Sequence, residues 1–330
     1  MDPAQFFAAS RVVIVAGKGG VGKTTVTATL ARAASLRGLS TLIVEVEGKS
    51  GLSTMFAKPA FAYEEVVLAE ADESSSSGTI TARTLTPDDA LLDYLQQSGM
   101  NRISRRLVRS GALDMVSTAV PGIRDILVLG KVKSLERAAE ADLIILDAPA
   151  AGHAISFLQS ASGLADAVRL GPINAQARDV LELLGDPARC QVMLVTLPEE
   201  TPVNELIDTA YQLEDRVGVS LGPVVINGVY ADIAGLDTDP QDAAEEAGAS
   251  LRKDEAESLA AAASFRRERM ALQRSQIERL HEALPLPQLQ LPYLFDAEIG
   301  PEQLHQLAEA LLAGVAGLDA AALGHEVVEP

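Results

Sequence analysis

Short apolar runs recur along the chain, separated by longer stretches in which apolar positions return every three or four residues. The runs Arg11–Ala16, Thr41–Val46, Asp142–Asp147, Gln191–Thr196 and Pro223–Asn227 are rich in β-branched residues and scarcely alternate with polar ones. Such runs read as strands covered on both faces. A last strand is predicted over Leu289–Pro292. Two more, Val66–Asp72 and Thr79–Leu85, are joined by the serine-rich turn Glu73–Gly78. Helical periodicity is predicted from Val26 to a glycine stop at Arg37-Gly38, from Ala90 to about Val116, over Leu251–Leu284, and near Glu302–Ala316. Thr86-Pro87-Asp88-Asp89 carries a capping threonine, an N1 proline and early acids, which together mark a helix start. Strand–helix alternation of this kind predicts an α/β fold, a doubly wound and mainly parallel sheet, over 1–330 as a single domain. No internal repeat at a fixed period is present.

Between the first strand and the first helix lies Gly17-Lys18-Gly19-Gly20-Val21-Gly22-Lys23-Thr24-Thr25. Strand, glycine loop and helix are the context of a phosphate loop. Glycines let backbone N–H groups curl around phosphate oxygens, and the helix N-terminus adds its positive end. ATP is the expected ligand. Lys23 is placed to reach the β- and γ-phosphates, and Thr24 to bind Mg²⁺ through its hydroxyl. Lys18 goes beyond the plain motif: it is either a solvated loop lysine or a second cation for the phosphates, supplied across a dimer interface.

Composition narrows the possible partners. With 27 Lys and Arg against 46 Asp and Glu, the net charge of −19 argues against nucleic acid, which demands clustered cations. Cys190 is the only cysteine, so no internal disulfide, no CxxC zinc pair and no bridged cluster are expected. Met1–Ser10 lacks the features of a secretory signal, and no run of about 18 apolar residues is present. The expectation is a cytoplasmic protein without stable membrane insertion.

The GKGGVGKTT loop resembles the deviant Walker A class of P-loop NTPases, which includes the ParA and MinD positioning ATPases, the nitrogenase iron protein and the ArsA/Get-type ATPases. That resemblance implies a nucleotide sandwich dimer in which Lys18 reaches into the partner's site. Glu47-Gly48-Lys49-Ser50-Gly51-Leu52-Ser53-Thr54-Met55-Phe56 resembles the first switch of the ArsA/Get type, with Glu47 standing where the family has its catalytic Asp. Asp147-Ala148-Pro149-Ala150-Ala151-Gly152-His153 resembles the second switch. The likeness implies a Walker B, Mg²⁺-supporting role for Asp147 and switch roles for Gly152 and His153, although His153 by itself reads as an ordinary loop histidine. Ala151 replaces the family threonine. Pro121-Gly122-Ile123-Arg124-Asp125 is similar to a further family segment and reads as a turn before a helix.

Asn227, at a strand's C-terminal end, reads as a turn cap or, through the resemblance, as the adenine-reading asparagine. Pro292, Tyr293 and Leu294 resemble the loop that covers the adenine. The same resemblance places a helical, client-binding insert over 86–140. Within it Arg102, Arg105, Arg106 and Arg109 share one helix face, either a solvated face or a docking patch for an acidic partner. The VEVEG stretch from Val44 resembles an actinobacterial ArsA-like subgroup whose members occur beside a paralogue with an ordinary first switch. A homodimer and a heterodimer with a paralogous ATPase are therefore both expected forms.

The expected function is ATP binding and Mg²⁺-dependent hydrolysis that switches a dimer acting on an unidentified protein client. Glu47 and Ala151 leave a second reading, an ATP-binding regulatory subunit whose partner hydrolyses. A ParA/MinD-like positioning ATPase is a third, opposed by the acidic composition and by a final helix without Lys or Arg.

Overall fold

The computed structural model describes residues 1–46, 51–72, 76–97, 122–149, 151–167 and 172–318, with side chains left undescribed at 97, 151–153 and 172. Glu47, Gly48, Lys49, Ser50, Pro121, Ala150 and the arginines at 102, 105, 106 and 109 therefore lie outside the described residues.

Among the described residues eight strands form one sheet: β1 (Val12–Gly17), β2 (Thr41–Val46), β3 (Val66–Ala69), β4 (Ile80–Leu85), β5 (Leu143–Asp147), β6 (Cys190–Thr196), β7 (Val224–Val229) and β8 (Gln288–Pro292). Their order is β3-β4-β2-β5-β1-β6-β7-β8. All neighbours run parallel except β3, which pairs antiparallel with β4 at one edge. Helices α1 (Pro3–Ala8), α2 (Lys23–Ser35), α3 (Gly51–Met55), α4 (Pro87–Gln97), α5 (Ile123–Ala138), α6 (Ala151–Ala167), α7 (Pro172–Gly185), α8 (Glu200–Val217), α9 (Pro240–Glu246), α10 (Lys253–Ala283) and α11 (Pro301–Ala316) complete the described elements.

The near-continuous apolar strands are explained by cover on both faces. Ile14 of β1, Val44 of β2 and Leu146 of β5 turn into a core shared with α5, α6, α7 and α8. Val15, Ile43 and Ile145 turn the other way, into a core built with α2 and α11. A side-chain period of two divides each strand's apolar residues between the two layers. Helix α2 begins three residues earlier than its periodicity suggests, at Lys23, because Gly22 adopts a left-handed conformation (φ 89°) and serves as its N-cap. Thr86 caps α4 as expected: the Asp89 N–H donates to Thr86 Oγ1 at 3.2 Å, and the Thr86 hydroxyl donates to Asp89 Oδ2 at 2.6 Å.

After β1 the chain winds outward to β2 and β4, and later returns on the other side to β6, β7 and β8. β1 is thus the point where the winding reverses, with β5 on one side and β6 on the other. Ligands of doubly wound sheets lie beyond the strand ends at such a switch point. The loop Gly17–Thr25 begins there.

Candidate nucleotide site

Backbone contact fixes the loop's first residue. A Cβ on Gly17 would come within 2.4 Å of the Val195 carbonyl oxygen on the adjacent strand, so only glycine lets β1 turn away beside β6. At Gly22 a Cβ would meet the Asn227 side-chain nitrogen at 2.2 Å, in a backbone conformation that L-residues already disfavour. Asn227 Nδ2 donates to the Val21 carbonyl at 3.0 Å, tying the end of β7 to the glycine loop. The sequence suggested a cap or a base contact for Asn227. The structure gives it a hydrogen bond to the loop, and an amide retains a second N–H and a carbonyl with which to meet a base edge.

Lys23 lies in the first turn of α2 with only 7% of its surface exposed, and its ammonium donates to the Lys18 carbonyl at 2.9 Å. The cation thereby folds back over the loop that would carry phosphate. Beside it, Thr24 Oγ1 donates to Asp147 Oδ2 at 2.8 Å. Asp147 ends β5 and is fully buried. Two residues 123 positions apart meet because β5 is hydrogen-bonded directly to β1. A hydroxyl beside a buried carboxylate at a helix N-terminus is a donor set that suits Mg²⁺, which takes few protein oxygens and completes its shell with water and phosphate. Among the described residues no group of three or more His, Cys, Asp or Glu side chains gathers as an all-protein metal cage.

Lys18 pairs within its own chain. Its ammonium donates to Glu205 Oε1 on α8, with both side chains about two-fifths exposed. Nothing in the sequence pointed to Glu205, a half-buried helix acid 187 residues away.

Sequence reasoning also passed over Glu45. It is 1% exposed, lies opposite Asp147 in the β2–β5 register, and accepts a hydrogen bond from Thr84 Oγ1 at 3.1 Å. A carboxylate inside an otherwise apolar strand run was the signal that could have marked it. Gly152 and His153 occupy the first turn of α6, which starts four residues after Asp147, and α3 begins within the stretch that resembles the first switch.

On the far side of the loop, Pro292 pairs with Val229 in the β7–β8 register, and the Tyr293 N–H donates to the Val229 carbonyl at 2.8 Å. Tyr293 is thereby brought beside Gly228, next in sequence to Asn227. Its ring packs edge-on against Tyr230, with centroids 5.1 Å apart, and against Phe295 at 4.8 Å. Leu294 is partly buried against the α2–α11 core. The loop, Asn227 and the β8 end thus form one continuous rim, and the sequence-predicted residues on it are neighbours in space.

A model of the anion-transporting ATPase family matches residues 10–180, just over half of the chain. The chain belongs to the anion-transporting ATPase family. The matched span holds the glycine loop, β2 and the Asp147 strand end. Among curated relatives, ATPase BagA of Mycobacterium tuberculosis is 29% identical over 325 residues, covering 91% of this chain and 92% of that protein. A putative arsenical pump-driving ATPase of Halobacterium salinarum is 23% identical and covers 94% of this chain, which spans 45% of that protein. ATPase get3 of Schizosaccharomyces japonicus is 27% identical over 177 residues, covering 51% of this chain and 52% of that protein. The anion-transporting ATPase fold accordingly carries ATPase activity here, and nucleotide binding with it. Among the described residues no helix is long and apolar enough to cross a membrane.

Proposed function

We propose that this ATPase uses Mg²⁺-ATP to switch a dimer between two states, each with a different affinity for a protein client. One observation carries the reading: the Thr24 hydroxyl, the buried Asp147 carboxylate and the folded-back Lys23 ammonium converge at the mouth of the glycine loop, at the sheet's switch point.

In this reading the loop N–H groups and the α2 N-terminus hold the phosphates. Lys23 exchanges the Lys18 carbonyl for phosphate oxygens, so its charge is placed before substrate arrives and needs little reorganisation. Thr24 and Asp147 hold Mg²⁺, which when bound neutralises phosphate charge that builds up during transfer. Asn227 and the Pro292–Leu294 loop receive the adenine. Gly152 and His153, in the turn after Asp147, sense what that carboxylate holds. The switch reading is supported by their position alone.

Lys18 has its own part. Released from Glu205, it reaches the partner's phosphates, as the loop's resemblance implies. Glu47 orients the attacking water. A carboxylate one methylene longer than Asp changes that placement, and rates depend strongly on it.

Sedimentation of the full chain with Mg²⁺-ADP and with a non-hydrolysable Mg²⁺-ATP analogue tests the switch. A dimer favoured at least several-fold by the triphosphate is expected; identical association in both states would remove the reading. Single-turnover hydrolysis by the wild type, Glu47→Gln and Lys18→Ala then separates an autonomous enzyme from a regulatory subunit. An autonomous enzyme loses activity in both variants, whereas a regulatory subunit binds nucleotide and shows no difference among the three.

A further inference from the structure

Away from the nucleotide rim, the segment between β7 and β8 builds a second feature. Helix α10 has 31 residues, about 46 Å at 1.5 Å per residue. Its buried residues, Met270, Gln273 and Leu280, all belong to the C-terminal half. The N-terminal half packs against the short α9 and has no fully buried side chain of its own. Between α9 and this half lies an open groove of about 550 Å³.

The groove has a patterned lining. From α10 come Leu259, Ala262, Ala263 and Arg266, spaced i, i+3, i+4 and i+7 on one helix face. Small α9 residues and Ile233, itself half exposed, supply the opposite wall. Small residues on both walls let another backbone come close, while Leu259, also half exposed, offers an apolar anchor. An amphipathic helix laid in a groove makes contacts of this spacing.

The rim is acidic. Residues 232–266 include nine Asp and Glu against three basic residues, Arg252, Lys253 and the groove-lining Arg266. Asp232 and Asp237 are answered by Arg274 and Arg267, and the acids at 254, 255 and 257 by Arg252 and Lys253. Among the described residues, Asp242, Glu245 and Glu246 of α9 form no ion pair. They flank the groove-lining Ala243 and Ala244. This arrangement repels nucleic acid and anionic lipid surfaces. A second copy placed groove to groove would set acid against acid.

We propose that the α9–α10 groove docks a basic amphipathic helix of a partner protein, with its apolar face on Leu259 and Ala263 and its cations on Asp242, Glu245 and Glu246. This goes beyond the nucleotide switch and does not depend on it. A physical link between the two still exists. The Arg266 guanidinium that lines the groove lies 3.9 Å from the Tyr230 ring centroid and 5.2 Å from that of Phe295. Those rings pack with Tyr293 beside the candidate adenine rim. A docked helix therefore touches the arginine that braces the aromatic loop.

The test is fluorescence anisotropy of the full-length, nucleotide-free protein with a labelled leucine–lysine amphipathic peptide of about five helical turns, and with its leucine–glutamate counterpart. The lysine peptide binds and the glutamate peptide does not. Leu259→Asp discriminates by sign. It adds negative charge, so unspecific attraction to this acidic protein would rise, whereas groove docking falls at least about tenfold because a charge enters an apolar contact. Ala262→Glu repeats the test at a second wall position, and circular dichroism melting confirms that both variants fold. Neutralising Asp242, Glu245 and Glu246 together weakens binding several-fold and flattens its salt dependence. Binding to Leu259→Asp that is equal or tighter overturns the proposal. So does a wild-type dimer that Leu259→Asp dissociates on sedimentation, since the groove would then be a self-interface.

Discussion

Glu205→Gln removes the carboxylate charge that pairs with Lys18 within its own chain, and so asks whether that ion pair competes with dimer formation. The Lys18 and Glu205 side chains are 42% and 41% exposed. An ion pair with that much water around it contributes about 0.2–1 kcal/mol. Moving Lys18 across a symmetric interface breaks the pair twice, so the two together oppose the dimer by roughly 0.4–2 kcal/mol. Removing the opposition tightens the nucleotide-bound dimer by about two- to thirtyfold. Gln keeps the side chain's length and polarity, which leaves the packing of α8 undisturbed.

The assay is the dimer dissociation constant from sedimentation velocity in a non-hydrolysable ATP analogue, at low salt and again at about 0.5 M salt. Screening already weakens an exposed pair at high salt, so the difference between wild type and variant narrows there. Lys18→Ala, measured in parallel, loosens the dimer because the cation is gone. Refutation is direct: an unchanged or weaker dimer in Glu205→Gln at low salt means that the internal pair does not compete with a role for Lys18 across the interface.

Three further expectations follow from the geometry. Gly22→Ala places a Cβ 2.2 Å from Asn227 Nδ2 at a φ of 89°. The left-handed strain of about 1–2 kcal/mol and the disturbed Asn227–Val21 hydrogen bond, about 0.5–1.5 kcal/mol, lower stability together, and urea unfolding with nucleotide-binding titrations should show both losses. Asp147→Asn keeps an acceptor for Thr24 but removes the charge proposed to support Mg²⁺; hydrolysis should fall by about 10²-fold or more, while nucleotide measured without metal still binds. Asp93 is opposed by burial, yet hydrogen bonds from Lys131 (2.6 Å) and Tyr63 hold its pKa below the ordinary carboxylate value. Its folded-state pKa is lowered, so the stabilisation is complete above the unfolded value near 4 and is lost as pH falls through the folded one. Asp93→Asn should therefore cost about 1–3 kcal/mol at pH 7 and progressively less below pH 4, as read by urea unfolding across pH.

What the sequence revealed follows from where each signal is stored. Local backbone demands are written locally, so the glycines at 17 and 22, the Thr86 cap and the uninterrupted β-branched runs could be read in order along the chain. The Thr24–Asp147 meeting was anticipated only through the family resemblance, which gave Asp147 a Mg²⁺-supporting role beside the loop threonine; that β5 lies next to β1 is a fact of the fold. Glu205 carried no such mark. An acid on a helix's polar face has the same local pattern whether it faces water or Lys18, and only the packing of α8 beside β6 decides between them. Glu45 lies between these cases. Its charge breaks an apolar run, yet its partners depend on strand order: Thr84 comes from β4 and Asp147 from β5, on opposite sides of β2. The α9–α10 groove was hidden for the converse reason. Helical periodicity predicted a helix over Leu251–Leu284, but a sequence does not say on which stretch the apolar stripe goes uncovered. Here the buried residues of α10 lie in its C-terminal half, so the helix serves the core at Leu280 and an open groove at Leu259.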